Sequence, residues 1–441
     1  MKLWLDVDDL FFFARHSARP TGIQRLAGEA YTALVKLAPQ NVGFVVHSDC
    51  PGGFRVVEWL EVEAVYRSMT TGQGSRLTAE HAAAETSGGA VPYRSIFSRF
   101  WDWLRQTFSI DKSHPALEKQ TTLEQKAPDH IDLGLLIGPG DALCSLGAPW
   151  HDASYADRVL RATSFSGARF VMMVHDLIPL VRPEYFEIGR APEFERVMRE
   201  TLPIADVILT NSQATARDVS KWTAEKSIRL KCTPQHIPIG TGFARPPPSA
   251  LPQGLEAGGF VLFVSTIEVR KNHLQAFRVW AKMLEDLPRE QVPTLVFAGS
   301  IGWMTGDLLK AIESTNHLNG KLIVIQGADD ATLGALYQAC LFTLFLSFYE
   351  GWGLPVSDSL AFKKICVASN RTSIPEAGGD FCLYVDPDNT TGAYDAIRQL
   401  IENPGELGRL ERHLAANLEP VPWLATAQAV VAAAFGSQPR S

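Results

Sequence analysis

"LFTLFLSFYEGWGLPVSDSL", residues 341–360, holds the junction on which the fold reading turns. An apolar run of strand length ends near Ser347, and Gly351, Gly353 and Pro355 follow before a helical pattern begins. Proline suits a first helical turn, where its missing N–H would have no partner anyway. The two glycines let backbone come close to a ligand, which the free N–H groups of the helix start would face. The same succession of apolar run, turn and helix-length segment recurs in "KLWLDV", "VGFVVHS", "ARFVMMVHD", "ADVILTNS", "GFVLFVST", "TLVFAGS", "KLIVIQG", "KICVAS" and "CLYVD". Continuous apolar runs of this kind read as parallel strands buried on both faces, so the fold class is α/β.

A chain of 441 residues is long enough for two such domains. "ARPPPSALPQGLEAGG" cannot continue helix or sheet and marks a linker. The expected division is a first domain over 1–245, a linker over 246–258, a second domain over 259–420 and a closing helix over 421–441. Residues 70–130 lose the strand rhythm and read as an insertion. Within 93–108, Phe97, Phe100, Trp101, Leu104 and Phe108 share helical spacing. That face suits packing on its own domain or contact with a membrane surface or lipid-linked acceptor.

A formal charge of -7 argues against nucleic acid as a partner. Six cysteines lie without CxxC or CxH spacing, which fits a reduced, cytoplasmic protein. Acidic residues break the first apolar run, and no window approaches 18 uninterrupted apolar residues. Neither a signal peptide nor a transmembrane helix is therefore expected, and membrane work would be done from the inner surface.

At the quoted junction, Glu350 lies just outside the helix and Asp358 about one turn inside it. Carboxylates accept hydrogen bonds from hydroxyls, whereas helix amides take phosphate. A nucleotide sugar supplies both; an acidic loop with Asp358 complementing the helix dipole is the plainer reading. In "VSTIEVRKNH", residues 264–273, Arg270 and Lys271 occupy a second strand-to-helix junction, where cations neutralise a diphosphate or simply face solvent. There is no DxD motif in a suitable loop and no His/Asp cluster with metal spacing, so no metal and no other cofactor is expected.

"STIEVRKNHLQAF" and "SFYEGWGLPVSDSLAFKKICVASNRTSIPEAGGDFCLYVDP" together resemble the donor half of the retaining glycosyltransferases of family 4. "RPTGIQRLAGEAY", "MVHDLIPLVRPEYF", "ADVILTNSQATARDV", "ADDATLGALYQAC" and "PVPWLATAQAV" resemble further motifs of that family, in order. The resemblance implies a GT-B fold: two facing Rossmann-like domains with parallel sheets and a C-terminal helix returning to the first. It also implies that Glu350 faces the donor sugar, Arg270 and Lys271 hold the diphosphate, and Asp358 binds the ribose. Gly351, Gly353 and Leu354 would complete the donor loop. Gly22 would admit the sugar phosphate, with Arg25 adding charge or serving structure. His175 would point into the cleft or be a structural residue. Asp176 and Glu376 read as structural.

The family hallmark is Glu, seven residues, Glu, and Asp358 departs from it by one methylene, roughly 1.5 Å of reach. The expected reaction is hexosyl transfer with retention, mannose from GDP-mannose first and rhamnose second. The acceptor would be a polysaccharide or lipid-linked oligosaccharide. A glycoside hydrolase, or a non-catalytic sugar-nucleotide-binding scaffold, is the alternative.

Overall fold

The computed structural model describes residues 1–243 and 250–436, apart from 18, 72–130, 188 and 190. The aromatic segment 93–108 and nearly all of the expected insertion lie outside the described residues, as does part of the expected linker.

Two sheets form. The first contains β1 (Leu3–Asp6), β2 (Val42–His47), β3 (Phe54–Val57), β4 (Ala142–Ser145), β5 (Arg169–Val174), β6 (Val207–Thr210) and β7 (Gln235–His236), in the order β3-β2-β1-β4-β5-β6-β7. The second contains β8 (Phe260–Val264), β9 (Thr294–Ala298), β10 (Leu322–Ile325), β11 (Thr343–Phe345), β12 (Cys366–Ser369) and β13 (Cys382–Val385), in the order β10-β9-β8-β11-β12-β13. This is the doubly wound order, with a switch of direction between β8 and β11 and, in the first sheet, between β1 and β4.

The apolar runs are continuous because both faces of each sheet are covered. Val261 and Phe263 of β8 enter one core while Phe260 and Leu262 enter the other. Leu3 and Leu5 of β1 likewise oppose Trp4. Every ladder is parallel except β2 with β3, where Val45 pairs with Val56 in an antiparallel edge. β3, β4 and β7 are short, and no apolar run announced them.

The helix Trp423–Phe435 follows the second domain in sequence but packs on the first-domain helix Gly22–Leu37, burying Ala427, Val430 and Ala434 in the first core. Thr426 accepts from the Gly240 N–H and donates to the Pro238 carbonyl, and the Trp423 indole donates to the Gly242 carbonyl. A Cβ at Gly240 would collide with the Trp423 ring. Trp423→Ala is expected to cost about 3 kcal/mol, read as a lowered midpoint of urea unfolding against wild type.

Candidate active site

The second sheet's switch point gathers four charged side chains. After β8, a single turn over Val269–Lys271 presents Arg270 and Lys271, and Asn272 follows in the left-handed region at φ 61°. After β11, the loop reaches Glu350, and Gly353 at φ 119° opens the helix Leu354–Ala361 with Pro355 in its first turn. The Arg270 carbonyl accepts from the Phe348 N–H at 2.9 Å, which ties the two loops together. Lys271 Nζ lies 2.6 Å from Glu350 Oε1, and Arg270 lies 2.8 Å from Glu350 Oε2 and 2.6 Å from Glu268 Oε1. Burial alone would raise the Glu350 carboxyl, but Arg270 and Lys271 outweigh it and hold the group down to about 2. Arg270 Nε and Glu268 Oε2 remain buried without a hydrogen-bond partner among the described residues.

The first domain meets this loop directly. A Cβ at Gly351 would collide with the His175 carbonyl oxygen, so glycine is what permits the contact. Thr215 lies 3.3 Å from both the His175 and Gly351 carbonyls, a hydroxyl shared across the domains. The His175 ring is 3 % exposed and its Nε2 lies 2.9 Å from the Leu146 carbonyl. Burial pushes the imidazole down to about 4, which keeps it neutral. Asp176 accepts from the Ile178 N–H at 3.0 Å and lies in the field of Arg270. Gly22 opens the Gly22–Leu37 helix, and a Cβ there would be 3.8 Å from Leu354 Cδ1. The starts of two helices, one from each domain, thus face each other.

Arg25 lies one turn further along and is committed elsewhere: it makes a bidentate pair with Asp330 of the second domain, at 2.9 and 2.6 Å, over the Phe243 ring. Glu376 accepts from the Gln213 and Ala214 N–H groups at 2.7 and 2.8 Å and so caps a first-domain helix. Tyr349 donates to Asp218 at 2.8 Å, again across the domains. Asp330, Glu268, Tyr349 and Thr215 had no sequence signal beyond their position near strand or helix ends. Asp8, His47 and His151, far apart in sequence, bring ligand-type atoms within 4.8 Å of one another, a grouping that sequence spacing does not show.

This architecture is the GT-B fold, with the charged cluster at the switch point of the second of two facing α/β domains. Residues 254–417 match the family described as glycosyl transferases group 1, and that segment is a glycosyltransferase group 1 domain. The chain is 28% identical over 270 residues to the O-antigen chain mannosyltransferase B of Escherichia coli, covering 58% of this chain and 68% of the relative. It is 30% identical over 215 residues to the serotype-specific mannosyltransferase WbdA of the same organism, covering 46% of this chain but only 26% of that one. The crystal structure of Anabaena HepE in complex with UDP superposes with a TM-score of 0.57 over 98% of both chains at 14% identity. A glycosyltransferase from Rickettsia africae superposes at 0.53 over 99% of both at 12%. These two likenesses bear on the fold alone.

Asp358 is buried within the Leu354–Ala361 helix, beside Arg25 and the Gly242 N–H. Burial pushes its carboxyl up to about 7, with Arg25 opposing. The unfolded aspartate titrates near 3.9, so between about 4 and 7 the folded protein holds a proton that the unfolded chain releases. The stability due to this group is whole below that window, falls as pH rises through it and stays low above. Relative to Asp358→Asn, wild type is expected to lose about 3 kcal/mol between roughly pH 5 and 8, measured by urea unfolding of both at each pH.

Proposed function

We propose that the protein transfers a hexose from a nucleotide diphosphate sugar to a hydroxyl of a polysaccharide or lipid-linked oligosaccharide, with retention of anomeric configuration. The observation that carries this reading is the convergence of Arg270, Lys271 and Glu350 at the switch point, beside the start of the Leu354–Ala361 helix. Two cations and helix amides are what a departing diphosphate needs, and they supply that charge stabilisation without calling on a metal. The free hydrogen-bonding capacity of Arg270 Nε points the same way.

Departure of the diphosphate leaves oxocarbenium character on the sugar, which the Glu350 carboxylate faces. An acceptor hydroxyl held on the same face forms the new C–O bond as the C–O bond to phosphate breaks, and its proton passes to the departing phosphate oxygen. His175, neutral and buried, contributes shape and its backbone carbonyl near the sugar. Asp358 takes the ribose, Gly22, Gly351, Gly353 and Leu354 let the loops close on the donor, and Arg25 sets the position of the first-domain helix. Mannose from GDP-mannose is the favoured donor, because the Escherichia coli relatives are mannosyltransferases. Rhamnosyl transfer by the same steps is second. The acceptor places the enzyme at the cytoplasmic face of a membrane; no described helix is long and apolar enough to cross one.

Thermal-shift screening against GDP-, UDP- and dTDP-linked sugars is expected to raise the unfolding midpoint most with GDP-mannose, and to do so equally in EDTA. Lys271→Ala and Glu350→Gln are each expected to lower turnover on the order of 10²–10³-fold with the circular dichroism spectrum intact. Absence of binding and of slow hydrolysis for every nucleotide sugar would favour the scaffold reading instead.

A further inference from the structure

A second polar cluster lies at the carboxyl ends of the first sheet, around the switch between β1 and β4 where doubly wound sheets place ligands. Three segments build it. Asp6 ends β1 and Asp8 follows it; His47 ends β2; His151 and Asp152 lie in the turn after β4. His151 Nε2 is 2.9 Å from Asp8 Oδ2, and His47 Nδ1 is 3.5 Å from that same oxygen and 3.0 Å from Asp152 Oδ2. Two histidines and the Asp8 carboxylate thus bring ligand atoms within 4.8 Å of one another, with Asp152 beside His47.

The other nitrogen of each ring is already engaged. His47 Nε2 lies 3.2 Å from Asp6 Oδ2, and His151 Nδ1 lies 3.0 Å from the Ala148 carbonyl. A carboxylate and a backbone carbonyl are the outer partners that metal-bound imidazoles use, because donation there fixes the tautomer and turns a lone pair toward the ion. The rings are also held in place: His47 and His151 stack at 5.5 Å and 9°, and Phe12 stacks on His151 at 4.3 Å. Arg158 Nε at 2.6 Å and the Ser154 N–H at 2.8 Å hold Asp152. Both nitrogens of His47 face carboxylates, Asp6 on one side and Asp8 and Asp152 on the other, so a bound cation would take the place of the ring's proton.

We propose that this cluster is a site for one divalent transition-metal ion of the zinc class, bound by Asp8, His47 and His151, with Asp152 beside His47. Two nitrogens and a carboxylate oxygen suit zinc. Ligand atoms at about 2.0 Å from a tetrahedral centre lie about 3.3 Å from one another. The 2.9 and 3.5 Å separations from Asp8 Oδ2 straddle that value, and the three ligand atoms lie within 4.8 Å of one another. It would pin the loops after β1, β2 and β4, on the first-domain side of the cleft. No residue of the Arg270–Glu350 cluster takes part, and the site stands independently of the proposed transfer reaction.

The test uses the full chain, stripped with chelator and dialysed. Zinc chloride titrated by calorimetry is expected to bind at one equivalent and to raise the unfolding midpoint, and cobalt(II) to give visible ligand-field bands. His151→Gln and Asp8→Asn, each with a native circular dichroism spectrum, are expected to lose those bands and at least tenfold in zinc affinity. Asp6→Asn, which keeps every ligand, is expected to weaken zinc about 10–100-fold. His413→Ala on the exposed surface should change nothing. No zinc binding by wild type, or equal affinity in wild type, His151→Gln and Asp8→Asn, overturns the proposal.

Discussion

Glu268 and Glu350 are buried with Arg270 and Lys271 largely shielded beside them, and neither carboxylate could stay charged there alone. Withdrawing a single ion from water costs several kcal/mol, which only a close opposite charge offsets. Two carboxylates and two cations satisfy that condition among themselves, at 2.6 to 2.8 Å. The requirement for neutrality fixes the turn after β8 against the loop after β11 and thereby sets where the Leu354–Ala361 helix begins. An anion that takes the Arg270 and Lys271 groups now paired with Glu350 would exchange places with that carboxylate. By that route, entry of a diphosphate and release of Glu350 toward the sugar would be one event.

The two domains are held at this cleft by polar and apolar contacts. Arg25 with Asp330, Tyr349 with Asp218, Glu376 with the Gln213 and Ala214 amides and the Thr215 hydroxyl all cross between them. Such groups lose little when water replaces the partner. Tyr185 stacked on Phe348, and Trp352 and Leu354 packed against the first core, resist separation and favour the closed arrangement. Gly351 matters to closure, because only a residue without Cβ lets the donor loop reach the His175 carbonyl.

Ten of the thirteen strands were legible as apolar runs, since burial on both faces leaves an unbroken signal. β3 and β7 were not, because they form the two edges of the first sheet, and β4 was not, because its run is closed in between Asp141 and Gly147. Glu350, Arg270 and Lys271 were legible as strand-to-helix residues, and the structure brings them within bonding distance. Their mutual pairing was not, since it depends on which strands are neighbours. Asp358 read as a carboxylate flanking a cradle, but its raised pKa comes from burial where two domains pack, against the opposing Arg25 and Gly242 N–H. The Asp8, His47 and His151 grouping escaped for the same reason: three loops meet only through the order of β2, β1 and β4.

The closing helix has a consequence for how the protein is made. A ribosome releases the first domain's strands early, yet the residues that complete its core, Ala427, Val430 and Ala434, emerge only after the second domain. Until then the nascent first domain leaves a face of its Gly22–Leu37 helix bare. The second domain, whose core lies within its own span, can finish first, so the usual N-to-C order of domain folding is reversed here. Chaperone dependence during synthesis should accordingly belong to the first half of the chain.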